Sequence, residues 1–126
     1  MTSGLMAFMG VLAALLVAGA AAEAGATNAL RQLKGREITA KFSGQEFTDE
    51  VHFAQAFRRD GTLDSISMGK HRAGKWRVVG NELCLSHESD EQRCYQVWMS
   101  GKTVQLHQPG VSITEDGILQ RPAGRN

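Results

Sequence analysis

The sequence predicts an all-β fold: an antiparallel meander of about eight strands, closed into a small barrel or rolled into a strongly curved sheet, preceded by a signal-peptide helix. Three observations predict it. Gly is frequent (14) and Pro is rare (2), so chain reversals fall to glycine turns. Short runs between those turns alternate apolar and polar residues, the period of a half-buried strand. Three successive segments also fit one register that gathers their apolar residues on a single face.

Residues 1–26 contain no Lys or Arg, carry an apolar run over 5–18 and end in Ala-x-Ala sites. That is the shape of a cleavable export signal, with cleavage after Ala22, Ala24 or Ala26. A spanning helix needs about 20 strongly apolar residues, whereas this run is rich in Ala and Gly. No Cys lies near the cleavage positions, so a lipid anchor is not expected. Residues 27–126 then read as a single β-domain, periplasmic or secreted, touching a membrane only through the export signal.

Residues 27–34 read as a short helix or a leader into the first strand. Ile38, Ala40 and Phe42 alternate with Glu37, Thr39 and Lys41 as a strand would. Val51, Phe53 and Phe57 share a face that Gln55 interrupts. Asp60-Gly61 turns the chain toward Leu63. A basic loop follows at 70–75, with Lys70, His71, Arg72 and Lys75, extended by Arg77.

Gly80-Asn81 is a two-residue hairpin turn, since both residues tolerate positive φ. It pairs Val79 with Glu82, Val78 with Leu83, Arg77 with Cys84 and Trp76 with Leu85. Ser100-Gly101 reads as the next turn, pairing Met99 with Lys102 and Val97 with Val104. If Cys84 faces Cys94 between these hairpins, Leu83 falls opposite Tyr95. Trp76, Val78, Leu83, Leu85, Tyr95, Val97, Val104 and Leu106 then share one face. A one-residue slip would scramble that division. Asp116-Gly117 reads as a last turn, joining 111–115 to 118–121.

The net charge of +1 gives no preference for nucleic acid. No zinc spacing links His52, His71, His87 and His107, so no metal or other cofactor is expected. Ser43, Ser65, Ser67 and Ser86 lie on no strand-turn-helix elbow. The acidic pairs Asp49-Glu50, Asp90-Glu91 and Glu115-Asp116 read as solvated turn residues. Catalytic residues are therefore not assigned. Two features stand out as candidate binding positions: the basic loop, and Trp98, which falls on the Cys face opposite Gly80 in this register. A Trp among polar neighbours is a candidate contact anchor.

The run from Gly74 through Trp76, Val78, Gly80 and Leu83 to Cys84, followed by Cys94, Tyr95 and Val97, resembles a pattern of small exported bacterial proteins of uncharacterised function. It covers about a quarter of the chain and implies an envelope β-domain with a hairpin disulfide. Gly74-x-Trp76 also looks like the lipocalin Gly-x-Trp. In that family it lies on the first barrel strand, while here it lies mid-chain, so no lipocalin cavity is carried across. Small secreted protease inhibitors with a barrel and one disulfide are a looser likeness.

The expected function is binding of an envelope component, protein or small ligand, without catalysis. Inhibition of an exported hydrolase is the alternative, and an enzyme of unknown type the third. In an oxidising compartment the two cysteines form one disulfide. Its loop is short, so it adds about 2–3 kcal/mol. Replacing Cys84 and Cys94 together by Ala is expected to lower the melting temperature by that equivalent. An unchanged melting temperature on reduction would remove the disulfide from the account.

Overall fold

The computed structural model describes residues 29–88 and 90–123, with the isolated positions 3–4, 10 and 13–14. The rest of residues 1–26, read above as an export signal, lies outside the described residues, as do the three expected cleavage positions. Nine strands and one short helix follow in order: β1 Arg31–Gln32, α1 Gly35–Phe42, β2 Gln45–Thr48, β3 Phe53–Phe57, β4 Thr62–Ser67, β5 Lys70–Val79, β6 Glu82–His87, β7 Arg93–Ser100, β8 Thr103–His107 and β9 Thr114–Gln120. Strands β2 to β9 pair each with the next, all antiparallel, and β9 returns to β2. The eight close into a barrel, which removes the sheet edges. Strand β1 lies outside that circuit, on β7.

The central register is the expected one. Gly80 takes φ 58° in its turn, and Trp76 faces Leu85, Arg77 Cys84 and Val78 Leu83. Across β6 and β7, Leu83 faces Tyr95 and Cys84 faces Cys94. The two sulfurs lie at disulfide distance, 2.10 Å.

The next hairpin differs from expectation. Its turn is Gly101-Lys102, so Ser100 faces Thr103, Met99 faces Val104 and Val97 faces Leu106. Gly101 takes the φ of 57° that the turn requires. Moving a turn one residue along the chain shifts each partner by two. Side-chain parity survives, and Val97, Val104 and Leu106 are all fully buried.

Four further elements depart from the sequence reading. Residues 37–42 belong to helix α1, not a strand. Ile38 and Phe42, four apart, share its buried side, while Ala40 is exposed. Glu37 steers this outcome: its carboxylate accepts from the Lys34 backbone N–H (3.3 Å) and from both terminal nitrogens of Arg31 (3.0 and 2.6 Å). The Arg31 bond holds that carboxyl down at about 2. Val51 is 79% exposed, outside the strand that carries Phe53 and Phe57. The basic stretch at 70–75 is the first half of β5, not a loop. Asp116-Gly117 is not a turn but lies inside β9. A Cβ on Gly117 would fall 2.6 Å from the Phe47 ring and 2.6 Å from the Thr48 carbonyl oxygen. The glycine serves close approach of β9 to β2 rather than chain reversal.

Alternation along the strands separates inside from outside. Phe47, Phe57, Leu63, Trp76, Leu83, Leu85, Tyr95, Val97, Val104, Leu106 and Leu119 fill the barrel, and Val78 is half-buried against them. Leu33, Ile38 and Phe42 join the same core from β1 and α1. Phe42 meets Phe57 edge-on at 5.0 Å, and Phe57 meets Trp76 at 5.6 Å. The helix docks by its start: the Gly35 N–H donates to Asn81 Oδ1 at 2.9 Å. Helix α1 thus closes the end of the barrel that carries the Gly80-Asn81 turn.

Replacing Gly117 by Ala is expected to destabilise the protein by about 1–3 kcal/mol, since the added methyl must displace Phe47 or the β2 backbone. An unchanged urea midpoint would show that β9 is free to retreat.

Candidate functional site

The other end of the barrel is open. Four connections surround it: 49–52, 68–69, 88–92 and 108–113. Here the inward-facing positions change character. Continuing the inward parity from Trp76 along β5 gives Gly74, Arg72 and Lys70. From Leu85 along β6 it gives His87, and from Leu106 across to β9 it gives Glu115. The ladder aligns these residues in rows. Gln55, Ser65 and Arg72 face one another across β3, β4 and β5. One layer nearer the rim, Phe53, Ser67 and Lys70 do the same. These six residues, with His87 and Glu115, line a cavity of about 360 Å³. That volume is at the small end for ligand sites, about 300–1,000 Å³.

His87 is held in place from two sides. Its Nε2 lies 2.9 Å from Ser65 Oγ, and Ser65 is buried. Gly74 stands opposite His87, and a Cβ there would fall 2.3 Å from the Ser86 carbonyl oxygen and 3.1 Å from the imidazole Cδ2. The absent side chain lets the two strands approach closely with the ring alongside. Burial lowers the His87 pKa first, and nearby Arg72 lowers it further. The imidazole is therefore neutral near pH 7. Arg72 itself is engaged by the Asp90 carboxylate, whose pKa that bond lowers. The Asp90 N–H donates to the His87 carbonyl at 2.7 Å, tying the loop to the rim.

Three other groups point to unfilled capacity. Gln55 Oε1 is buried and accepts no hydrogen bond among the described residues. Such an orphan acceptor costs about 1–3 kcal/mol. Lys70 is exposed at the rim and has no ion-pair partner among the described residues. Glu115 keeps part of its surface in water, yet burial raises its pKa against the pull of Arg93. Burial, with Glu115 nearby, raises that of Tyr95 as well.

Alternation along β5 divides the expected basic cluster. Lys70 and Arg72 enter the mouth. His71 points outward, its Nδ1 3.7 Å from Asp64. Lys75 and Arg77 also point outward, beside a cleft of about 450 Å³ that includes Cys84 and Gln92. There Arg77 Nε donates to Gln92 Oε1 at 2.9 Å, and Gln92 lies on Cys94. Trp98 is not opposite Gly80. Strand β7 parts from β6 beyond Tyr95, and Trp98 faces Gln32 of β1 and Gln105 of β8. It is half-buried, tilted against His107 at 5.7 Å, with its Nε1 buried and unbonded among the described residues. It is part of the outer wall, on the far side from the mouth.

Gln55, Ser65, His87 and Glu115 escaped selection from the sequence, since each looked like an interruption, a loose hydroxyl or a turn residue. Counting inward parity back from Trp76 and onward from Leu85 would have found the mouth. Glu82, Cys84 and Cys94 bring ligand atoms together, but the sulfurs are tied to each other and offer no thiolate. Asp49 accepts from the backbone N–H groups of Val51, His52 and Phe53, as a turn residue does.

Comparison of the chain with protein-family models, with curated proteins and with solved structures finds no match.

A depressed His87 pKa has a definite consequence. The unfolded chain binds that proton more readily, so stability is full above the unfolded value of about 6.5 and falls as the pH drops through it toward the folded value. His87→Gln is expected to flatten the stability loss between pH 7.5 and pH 5 in urea melts. Identical slopes in both proteins would show that His87 is not held neutral.

Proposed function

We propose that this chain is an exported, non-catalytic β-barrel that binds a small ligand in its open mouth, in the periplasm or outside the cell. The observation that carries the reading is the change in the barrel interior. Small barrels are filled by side chains, and this one is filled with apolar groups from α1 up to Leu85. Above that layer the inward positions become Gln55, Ser65, Arg72 and His87 around an open cavity. Buried polar groups are unfavourable unless they find partners, and the fold supplies only some of them. A ligand supplies the rest.

The setting supports export. A disulfide persists in an oxidising compartment, residues 1–26 have the pattern of a removable signal, and the run from Gly74 to Cys84 with that from Arg93 to Trp98 resembles small exported bacterial proteins. Ser65 lies within a regular strand, paired to both neighbours, rather than on the strained elbow that exposes a nucleophile. The Ser65–His87 contact is thus read as positioning of a binding group.

One observation favours the alternative of an inhibitor or other protein-binding module. Val51, Met68 and Ile113 are 79%, 76% and 79% exposed, and they sit on three of the four connections around the mouth.

Nuclear magnetic resonance of the ¹⁵N-labelled oxidised domain, titrated with neutral, anionic and cationic fragments, separates the two. Ligand binding in the mouth is expected to move the amides of Gln55, Ser65, Arg72, His87 and Glu115. If no fragment moves them, or if shifts gather only at Val51, Met68 and Ile113, the cavity reading fails.

A further inference from the structure

We infer that the ligand of the mouth is a small organic monoanion that also carries a hydrogen-bond donor, of the hydroxycarboxylic acid class. The inference rests on the cavity reading and adds the chemistry of what enters.

Charge sets the first requirement. Among the described residues, Lys70, Arg72, Arg93 and Glu115 face inward around the mouth, together with His87. The Asp90 carboxylate occupies Arg72 from the loop above. Arg93 acts on Glu115 and Asp90 on Arg72, so Lys70 is the cation of the mouth with no ion-pair partner among the described residues. A monoanion balances it. Arg72 keeps N–H donors beyond those Asp90 takes, because a guanidinium has five.

Gln55 sets the second requirement. Its buried Oε1 has no donor among the described residues, and a carboxylate cannot satisfy it. An O–H or N–H donor can, from a ligand in place of water. The register fixes how far apart the two requirements lie. Gln55 and Arg72 both face Ser65, one on each side. With neighbouring strands about 4.8 Å apart, their Cα atoms lie about 10 Å from each other. After both side chains reach inward, only a short molecule fits between. Phe53 faces Ser67 opposite Lys70 in the row above. The carbon frame of the ligand lies against that ring, its carboxylate meets Lys70 and Arg72, and its hydroxyl donates to Gln55. Neutral His87, pinned by Ser65, adds no charge to this balance.

Isothermal titration of the oxidised protein tests each requirement with matched probes. 3-Hydroxybutyrate and 4-hydroxybenzoate carry both groups. Butyrate and benzoate lack the donor, whereas 1,3-butanediol and 4-hydroxybenzyl alcohol lack the charge. A hydroxy acid is expected to bind about tenfold more tightly than either of its matched partners, the size of one charge-assisted or one buried hydrogen bond. Lys70→Gln is expected to remove the advantage over the alcohol. Gln55→Leu is expected to remove the advantage over the plain acid. Lys70 is at the exposed end of its strand, so that variant keeps the fold, and melting temperature checks both. Alcohols binding as tightly as the acids would overturn the anion requirement. Plain acids matching hydroxy acids would overturn the donor requirement. Either result leaves a mouth that still takes small ligands. Fragments that shift the mouth amides while all six probes fail to bind would overturn the assigned class alone. Mouth amides that no fragment moves would overturn the cavity reading beneath it.

Discussion

The alignment of β6 with β7 is the constraint on which the rest of the molecule depends. Cys84 opposite Cys94 places Leu83 opposite Tyr95, and in a sheet of period two that single pairing decides the side of every neighbour. Because the sheet closes on itself, the decision returns to its starting point after eight strands and must agree with itself. It does: Phe47, Gln55, Ser65, Arg72, Leu106 and Glu115 all fall on the inside by strand-to-strand pairing. A parity error anywhere in the circuit would put a charge beneath the apolar core or a phenyl ring in water.

The same parity yields two different interiors. Near α1 the inward residues are large and apolar, and the helix adds Ile38 and Phe42 to their packing. Toward the mouth the strands keep their alternation but change composition. The result is one packed, apolar end and one polar end. Such a division lets the polar groups of the mouth be imperfectly satisfied without endangering the fold, since the apolar layers lie below them.

Local signals misled where they served two purposes. Asp-Gly at 116–117 has the composition of a hairpin turn, yet the glycine is there because Phe47 and the β2 backbone leave no room for a Cβ. Ile38, Ala40 and Phe42 satisfy a strand alternation, but Ile38 and Phe42 also satisfy the four-residue spacing of a helix. The anchoring of Glu37 by Arg31 and Lys34 favours the latter. The turn at Gly101 lies one residue beyond the position its composition suggests, a shift that leaves the inside and outside assignments intact.

The sequence by itself determined the all-β class, the Gly80-Asn81 hairpin, the Cys84–Cys94 pairing and the buried face from Trp76 to Leu106, because each rests on residues close in the chain and on a period of two. It also marked Lys70 and Arg72, though it could not separate them from His71, Lys75 and Arg77. Tertiary structure alone decided the closure of β9 on β2, the role of α1 and the composition of the mouth. The reason is distance along the chain: Gln55, Arg72, His87 and Glu115 come from four different strands. Only when the sheet curls round does the interruption on one strand meet the interruption on the next.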